Sequence, residues 1–397
     1  MDDIDWDLLS SYAGLLSLAT LSIYAGSHGS LPHQRKAESK LGQVVETSEE
    51  DEEENMERLS SDEAWLFPVI GSAALLGLYM VVKYFGTDWI NWFLGWYFSI
   101  VGIGSIWKSS VSLFRWMVGD AYWRTFHHFN FVIQKNKRAI LSLSWRTPTL
   151  FLLPFAFVPP VLYSTGTGSR KSILITDILG LSFAHNALSL LKIDSFKTGS
   201  ILLGGLFLYD VWWVFGTEVM VKVATSLDAP IKLLWPKSLS LADERGYTML
   251  GLGDIVIPGM FVALALRYDY HCYMSACRAS SQQSIKFLKP YFHAGLVAYV
   301  LGLVTTMTMM HVFHAAQPAL LYLSPSCTLS FAVTASLRGE LKEVWNWNDG
   351  PEEEAKEVAR PDAEKDAKAE IAMGPVAANG EKGDPHPNYQ EACLSKT

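Results

Sequence analysis

Long apolar runs dominate this sequence, and each is close to the length that a helix needs to cross a lipid bilayer. A bilayer core about 30 Å thick takes roughly 20 apolar residues in helical form. Half of the chain is hydrophobic. The pattern predicts an all-α polytopic membrane protein with nine transmembrane helices, at 8–26, 65–86, 89–107, 148–163, 172–191, 199–221, 248–266, 290–310 and 317–337.

Most of the acidic charge lies outside these runs. Of the 40 acidic residues, 24 lie between 46 and 63 or from 340 onward, and the net charge of −8 does not favour a nucleic-acid partner. Acidic segments without an apolar period bury no core, so we expect them to be disordered. Five parts are expected: an acidic N-terminus with the first helix (1–26), an acidic disordered loop (27–64), helices two to five (65–198), helices six to nine (199–337) and a disordered charged tail (338–397).

The basic residues of the loops predict an orientation. With nine crossings and the N-terminus outside the cytosol, the cytosolic loops hold seventeen Lys and Arg and the opposite loops hold seven. An excess of basic residues marks the cytosolic side of a membrane protein. We therefore expect a cytosolic C-terminus, although four basic residues between the sixth and seventh runs oppose this orientation.

Two carboxyl groups lie deep inside apolar runs. Asp210 falls in the sixth run and Asp254 in the seventh, and each costs about 2.5–3.5 kcal/mol at the bilayer centre. Lys197 lies 13 residues before Asp210, and Arg267 lies 13 residues after Asp254. If the two runs are antiparallel neighbours, both carboxyl groups lie about 20 Å below the same membrane face.

Two carboxyl groups that meet at one depth can hold a single proton between them. Such a pair can deprotonate a water while it protonates a carbonyl oxygen, which is the chemistry of peptide hydrolysis by paired aspartates. On the residues alone, a proton or cation pathway of a transporter and buried acids with basic partners stay open as alternatives. Asp177 in the fifth run is a lesser case, because it lies near the basic end of that run.

Three short motifs accompany the two acids. Tyr209-Asp210 falls in the sixth run, Gly251-Leu252-Gly253-Asp254 in the seventh, and Gln317-Pro318-Ala319-Leu320 opens the ninth. Each motif alone is weak, because small residues also serve close helix packing and proline is common in a first helical turn. In this order and on these runs, they resemble the presenilin-type intramembrane aspartyl proteases, the family that includes signal peptide peptidase, over about 64–337.

The resemblance implies a fold like that of presenilin and signal peptide peptidase, with 199–337 as the catalytic part. It implies that Asp210 and Asp254 are the catalytic pair of an aspartic endopeptidase. By the same resemblance Tyr209, Gly251, Leu252 and Gly253 would support the active site, and Gln317, Pro318, Ala319 and Leu320 would shape the substrate cleft. No metal and no organic cofactor is implied, and a proton-coupled transporter remains the alternative.

The resemblance also implies partners and a location. Substrates would be membrane-embedded peptides whose N-terminus faces the cytosol: signal peptides after their release, type II proteins and tail-anchored proteins. We expect a multi-pass protein of the endoplasmic reticulum membrane with a lumenal N-terminus. The chain ends in Leu394-Ser395-Lys396-Thr397 instead of a dilysine signal, so retention would need another cause. A homo-oligomer is left open.

Overall fold

A computed structural model describes residues 6–31, 58–123, 125–135, 138–165, 173–227, 229–237, 247–279, 286–313, 315 and 317–349. Most of the predicted acidic loop and charged tail lies outside these residues. The helices are α1 (Trp6–Gly29), α2 (Ser61–Phe85), α3 (Thr87–Val118), α4 (Asp120–Trp123), α5 (Thr147–Thr165), α6 (Ile173–Leu190), α7 (Phe196–Phe215), α8 (Val219–Ser226), α9 (Gly253–Ala279), α10 (Pro290–Phe313), α11 (Leu320–Arg338) and α12 (Leu341–Asn346).

The strands of the described residues form three small sheets of two strands each. Two are antiparallel hairpins, one of β2 with β3 and one of β5 with β6, and the third is a parallel pair of β1 with β4. The strands are β1 (Arg58–Leu59), β2 (His128–Lys135), β3 (Arg138–Arg146), β4 (Lys192–Ile193), β5 (Lys232–Pro236) and β6 (Tyr247–Gly251).

Nine helices of the described residues are 18 residues or longer, and each overlaps one of the nine apolar runs. Seven of them are long and apolar enough to cross a membrane, namely α1, α2, α5, α6, α7, α10 and α11. The prediction of an all-α polytopic membrane protein is confirmed, but the count of nine crossings is not. The two exceptions are α3 and α9, and α9 carries four charged residues, Asp254, Arg267, Asp269 and Arg278.

Helix ends follow the local sequence. At the start of α2, the Ser60 hydroxyl accepts from the Glu63 backbone N–H, and the Glu63 carboxylate accepts from the Ser60 N–H, which is a capping box. Ser195 caps α7 through the N–H of Thr198. At the end of α11, Gly339 adopts a left-handed conformation with φ 71°, which glycine takes without strain.

The main core lies where α1, α7, α9, α10 and α11 meet. Phe196 of α7 stacks on Phe331 of α11 with ring centroids 4.1 Å apart, and Phe261 of α9 meets both rings edge-on. By contrast, α2, α3 and α5 expose large apolar side chains, among them Trp65 and Phe155. A lipid-facing surface is expected to be apolar in this way.

Two predicted boundaries are wrong. The apolar run 248–266 does not begin as a helix, because its first residues belong to β6 and α9 starts only at Gly253. The tail does not become disordered at 338, because the chain forms α12 and then bridges Ser195 through Asn348. Neither feature could be predicted from the residues, since short elements held by tertiary contacts carry no long apolar period.

Candidate active site

Asp210 is held by the motif that opens α11. Its side chain on α7 is only 4% exposed, and its Oδ2 accepts a hydrogen bond from the Leu320 backbone N–H at 3.0 Å. Leu320 is the first residue of α11, so its N–H has no partner within the helix. Pro318 and Ala319 are buried beside it. The Pro-Ala-Leu motif therefore brings a backbone donor to the carboxylate.

Asp254 lies at the junction of a strand and a helix. It is the second residue of α9, and two residues separate it from the end of β6. Its carboxyl group folds back over Gly251, because a Cβ atom on Gly251 would lie 3.3 Å from Asp254 Oδ2. The N-terminal end of a helix favours negative charge. The position suits a carboxylate that must bear charge in an apolar surrounding.

Leu252 links the two elements that position Asp254. Its N–H donates to the Ile231 carbonyl at 2.9 Å, which extends the β5–β6 ladder. Its carbonyl accepts from the N–H groups of Ile255 and Val256 at 3.1 and 2.8 Å, which opens α9. Gly253 has free space around it, with the nearest atom 4.0 Å from where a Cβ would stand.

The two carboxyl groups face the same region of the bundle. α7 and α9 are in contact. The Asp210 and Asp254 carboxyl groups lie close enough to interact electrostatically. The depth argument from the sequence also has structural support. Arg267 donates to the Ile193 carbonyl at 3.1 Å, just before α7 begins, so the ends of α7 and α9 that carry the flanking basic residues lie together.

Tyr209 directly precedes Asp210 on α7, and Gln317 directly precedes the Pro-Ala-Leu motif. The Tyr209 ring packs against α2, where its Cε2 lies 3.5 Å from the Cβ position of Gly71. It also lies beside Trp213, with ring centroids 6.4 Å apart. Gln317 is half-buried just before the Pro-Ala-Leu motif. Tyr209 thus fixes the turn of α7 that carries Asp210 against α2.

Tyr299 is a candidate that no sequence motif indicates. It lies on α10, is fully buried, and its hydroxyl has no hydrogen-bond partner among the described residues. It is within Coulombic range of Asp254. One turn later, Gly302 allows close packing on α11, since a Cβ there would lie 3.1 Å from Ser326 Oγ. A tyrosine within an apolar run reads as packing, so only the structure could reveal it.

Asp177 also gains a specific role. It is 8% exposed on α6, and its Oδ1 accepts from the Leu234 backbone N–H of β5 at 2.8 Å. The sequence singled it out as an acid in an apolar run, but the strand that it binds was not predicted. A contact between a helix and a short strand 57 residues later leaves no local signal.

Another acidic residue and a cavity are weaker candidates for a functional site. Glu218 follows α7 on the exposed surface and pairs with Lys222 at 2.9 Å, which lowers the pKa of the Glu218 carboxyl. A cavity of about 250 Å³ lies between α3 and α5 and is lined by Phe114, Phe126, Thr147, Pro148, Phe151 and Leu152. It holds no acid or base. Within the described ranges, no three His, Cys, Asp or Glu side chains come together as a metal site would require.

Comparisons with known proteins agree on one family. The family model described as signal peptide peptidase matches residues 51–350, which include both carboxyl groups and α11. The chain is 36% identical over 370 residues to the signal peptide peptidase of Mus musculus, covering 90% of this chain and 89% of that protein. The signal peptide peptidase of Homo sapiens is 36% identical over 345 residues, with 85% and 83% covered. A probable intramembrane protease of Schizosaccharomyces pombe is 33% identical over 311 residues, with 78% and 91% covered.

Proposed function

Because the chain belongs to the signal peptide peptidase family and is therefore an intramembrane protease, we propose that Asp210 and Asp254 form its aspartic endopeptidase centre. The observation that carries the proposal is the hydrogen bond from Leu320 to Asp210. It ties the third motif to the first, while Asp254 of the second lies within Coulombic range. Three motifs that are far apart in sequence thus contribute to a single site.

In the proposed reaction the pair holds one proton. The ionised carboxylate takes a proton from water as the water oxygen attacks the scissile carbonyl carbon, and the other carboxyl group gives its proton to the carbonyl oxygen. The resulting gem-diol collapses as the C–N bond breaks. The leaving nitrogen takes up the proton that the first carboxyl group received, and one gem-diol hydroxyl gives its proton to the other carboxylate as the C=O bond re-forms. The products are an amine and a carboxylic acid, and the pair again holds one proton.

A helical substrate must open before this chemistry can begin, because every scissile carbonyl is bonded within its helix. We propose that the opened segment pairs as a strand with β6, which leads directly into Asp254. Helix-breaking residues placed near the scissile bond of a substrate should then speed its cleavage. Cleavage rates that do not respond to them would contradict strand pairing.

The proposed substrates are membrane segments whose N-terminus faces the cytosol, namely released signal peptides, type II proteins and tail-anchored proteins. The support is the family membership together with the loop charges, which favour a lumenal N-terminus. The proposed location is the membrane of the endoplasmic reticulum. Reversing the orientation of a cleaved segment in a reporter should abolish its cleavage.

The direct test uses purified protein in detergent with a signal-peptide substrate. Asp210→Asn and Asp254→Asn should each lower turnover on the order of 10⁴-fold, as the loss of one member of a catalytic pair does. Glu218→Gln is the matched control, because this carboxylate is exposed and pairs only with Lys222 among the contacts seen. Cleavage that persists in Asp254→Asn would refute the assignment.

The transporter alternative is tested on the same preparations. Protein reconstituted in vesicles should show no proton flux that depends on Asp210, because the proposed pair only exchanges one proton with water and peptide. Flux lost in Asp210→Asn, without a peptide product from the wild type, would favour transport instead.

A further inference from the structure

The β5–β6 hairpin has two outer edges, and the structure treats them differently. The register pairs Leu233 with Leu250 and Leu234 with Met249. Since Leu252 N–H donates to Ile231, and partners alternate along an antiparallel ladder, Leu233 and Leu250 exchange hydrogen bonds across the hairpin. The backbone groups of Leu234 and Met249 therefore point outward, one from each edge.

The outer edge of β5 is closed by α6. Asp177 accepts the outward N–H of Leu234 at 2.8 Å, and Pro236, the next outward position, has no N–H to offer. The helix also sits close to the strand, because a Cβ on Gly180 would lie 3.2 Å from Leu233 Cδ2. A second peptide has no room to pair along this edge.

One face of the hairpin is also covered. α1 packs against it, where Gly14 lies directly against the Trp235 ring and the Ser11 and Thr248 hydroxyls are 2.5 Å apart. On the other face, the side chains of Tyr247 and Met249 are about half exposed, at 50% and 53%. Among the residues that the structure describes, no backbone hydrogen bond is made to the outer edge of β6, so this edge is left accessible.

That open edge leads to the carboxyl groups. Met249 and Gly251 direct their backbone groups outward from β6, and a Cβ atom on Gly251 would lie 3.3 Å from the Asp254 carboxyl group. A strand that pairs there is aligned with Asp254 by its hydrogen-bond register. A shift of the hairpin by one residue would bring a different peptide bond to the pair.

We infer that Asp177 is a positioning residue, which holds β5 in place so that only the β6 edge accepts substrate and the same peptide bond is always presented. The inference rests on the proposed function, since it concerns the strand pairing proposed there. Asp177 acts through Leu234 and the hairpin and does not touch the reacting atoms. Its contribution is to the choice of the cleaved bond as well as to the rate.

The test compares Asp177→Leu with Asp177→Asn on one signal-peptide substrate, with every product identified by mass spectrometry. Asp177→Asn keeps an acceptor oxygen, so it should cut at the wild-type bond. Asp177→Leu should spread cleavage over neighbouring bonds and lower kcat/KM about tenfold, as the loss of a buried hydrogen bond does. Unchanged products in Asp177→Leu, or a spread in Asp177→Asn equal to that in Asp177→Leu, would overturn the inference.

Two further variants separate positioning from folding. Asn186→Leu removes a buried polar contact between α6 and α3, away from the hairpin, so it should lower thermal stability without moving the cleaved bond. Leu234→Pro removes the N–H donor at an edge position where proline is tolerated. It should reproduce the spread, and the double variant with Asp177→Leu should add little more. An additive effect, or a spread in Asn186→Leu, would contradict the inference.

The two proposals fail in different ways. A wild-type protein that cuts no peptide would remove the proposed function. A wild-type protein that cuts at one bond, with an unchanged bond in Asp177→Leu and in Leu234→Pro, would leave the proposed function standing and remove the role of Asp177 alone.

Discussion

Gly251 and Gly253 look equivalent in the motif but differ in their surroundings. A Cβ on Gly251 would lie 3.3 Å from the Asp254 carboxylate, whereas the nearest atom to a Cβ on Gly253 is 4.0 Å away. Small displacements of a catalytic group are costly. We expect Gly251→Ala to lower kcat about tenfold and Gly253→Ala to change it less than about twofold, as measured on one reporter substrate. Equal effects of both variants would contradict this distinction.

Tyr299 carries a buried hydroxyl that makes no hydrogen bond to any residue that the structure describes. A buried donor without a partner costs about 1–3 kcal/mol, so Tyr299→Phe should raise thermal stability. The hydroxyl lies close enough to Asp254 to interact with it electrostatically. We therefore expect the same variant to lower turnover, since gains in stability at active sites often come with losses in activity. Parallel melting and cleavage assays check both signs. A variant that is more stable but keeps full activity would show that the hydroxyl has no role in catalysis.

At the residue scale, the sequence reveals the side chains whose burial in lipid costs the most free energy. Asp210 and Asp254 stand out because a carboxyl group within an apolar run needs a reason. Tyr299 does not stand out, since an aromatic ring fits any apolar run. The partner of Asp210 is a backbone N–H of Leu320, and no side-chain pattern can reveal a backbone donor.

Among the elements, the segment after α11 closes one end of the bundle. Asp349 pairs with the buried Arg267 of α9 at 2.6 Å, and its backbone N–H donates to the Asp194 carbonyl at 2.7 Å. Trp347 packs against Phe196 and Tyr268. The last described residues thus hold α7 and α9 together at the end opposite the carboxyl groups.

Removing the charge of Asp349 should therefore weaken the whole bundle. Breaking a buried ion pair from one side costs about 3–5 kcal/mol, because the other charge stays buried, and partial exposure of Asp349 places this case at the lower end. We expect Asp349→Asn to lower the melting temperature clearly. The exposed pair of Glu218 and Lys222 gives the control, since Glu218→Gln should leave it unchanged. Equal melting of both variants would contradict this role.

No strand was predicted from the sequence, neither the short ones nor β2 and β3 of eight and nine residues. β5 and β6 are five residues each, too short for a reliable period-two pattern, and their pairing depends on α1 and α6 around them. α12 begins after Gly339, where charge suggested disorder. In each case tertiary contacts outside the segment decide its structure.

For the whole molecule, seven crossings and nine crossings differ only in whether α3 and α9 span the membrane. The chain has no natural Asn-x-Ser/Thr acceptor, so introduced acceptors report the sidedness of each loop. With nine crossings, an acceptor within 166–172 should be glycosylated in microsomes and one within 280–285 should not. Glycosylation at both sites would show that α9 does not cross, and glycosylation at 280–285 alone would show that α3 does not.

The class of the protein, an all-α membrane protein, was predictable because a helix that crosses lipid needs a long run of apolar residues. α9 shows where that rule weakens. It carries Arg267 and Asp269, both 3% exposed, inside the protein, so its composition resembles that of a soluble core helix. Interior charge of this kind makes hydropathy a poor guide for helices that are surrounded by protein.

The bond from Leu320 to Asp210 joins residues 110 positions apart, and it has a consequence for biosynthesis. The ribosome completes α7 and α9 well before it reaches the helix that supplies this N–H. With Asp210 and Asp254 as the proposed catalytic pair, a nascent chain therefore lacks an assembled centre until α11 has been inserted. Translation order alone would then keep the incomplete protease from cleaving neighbouring membrane proteins.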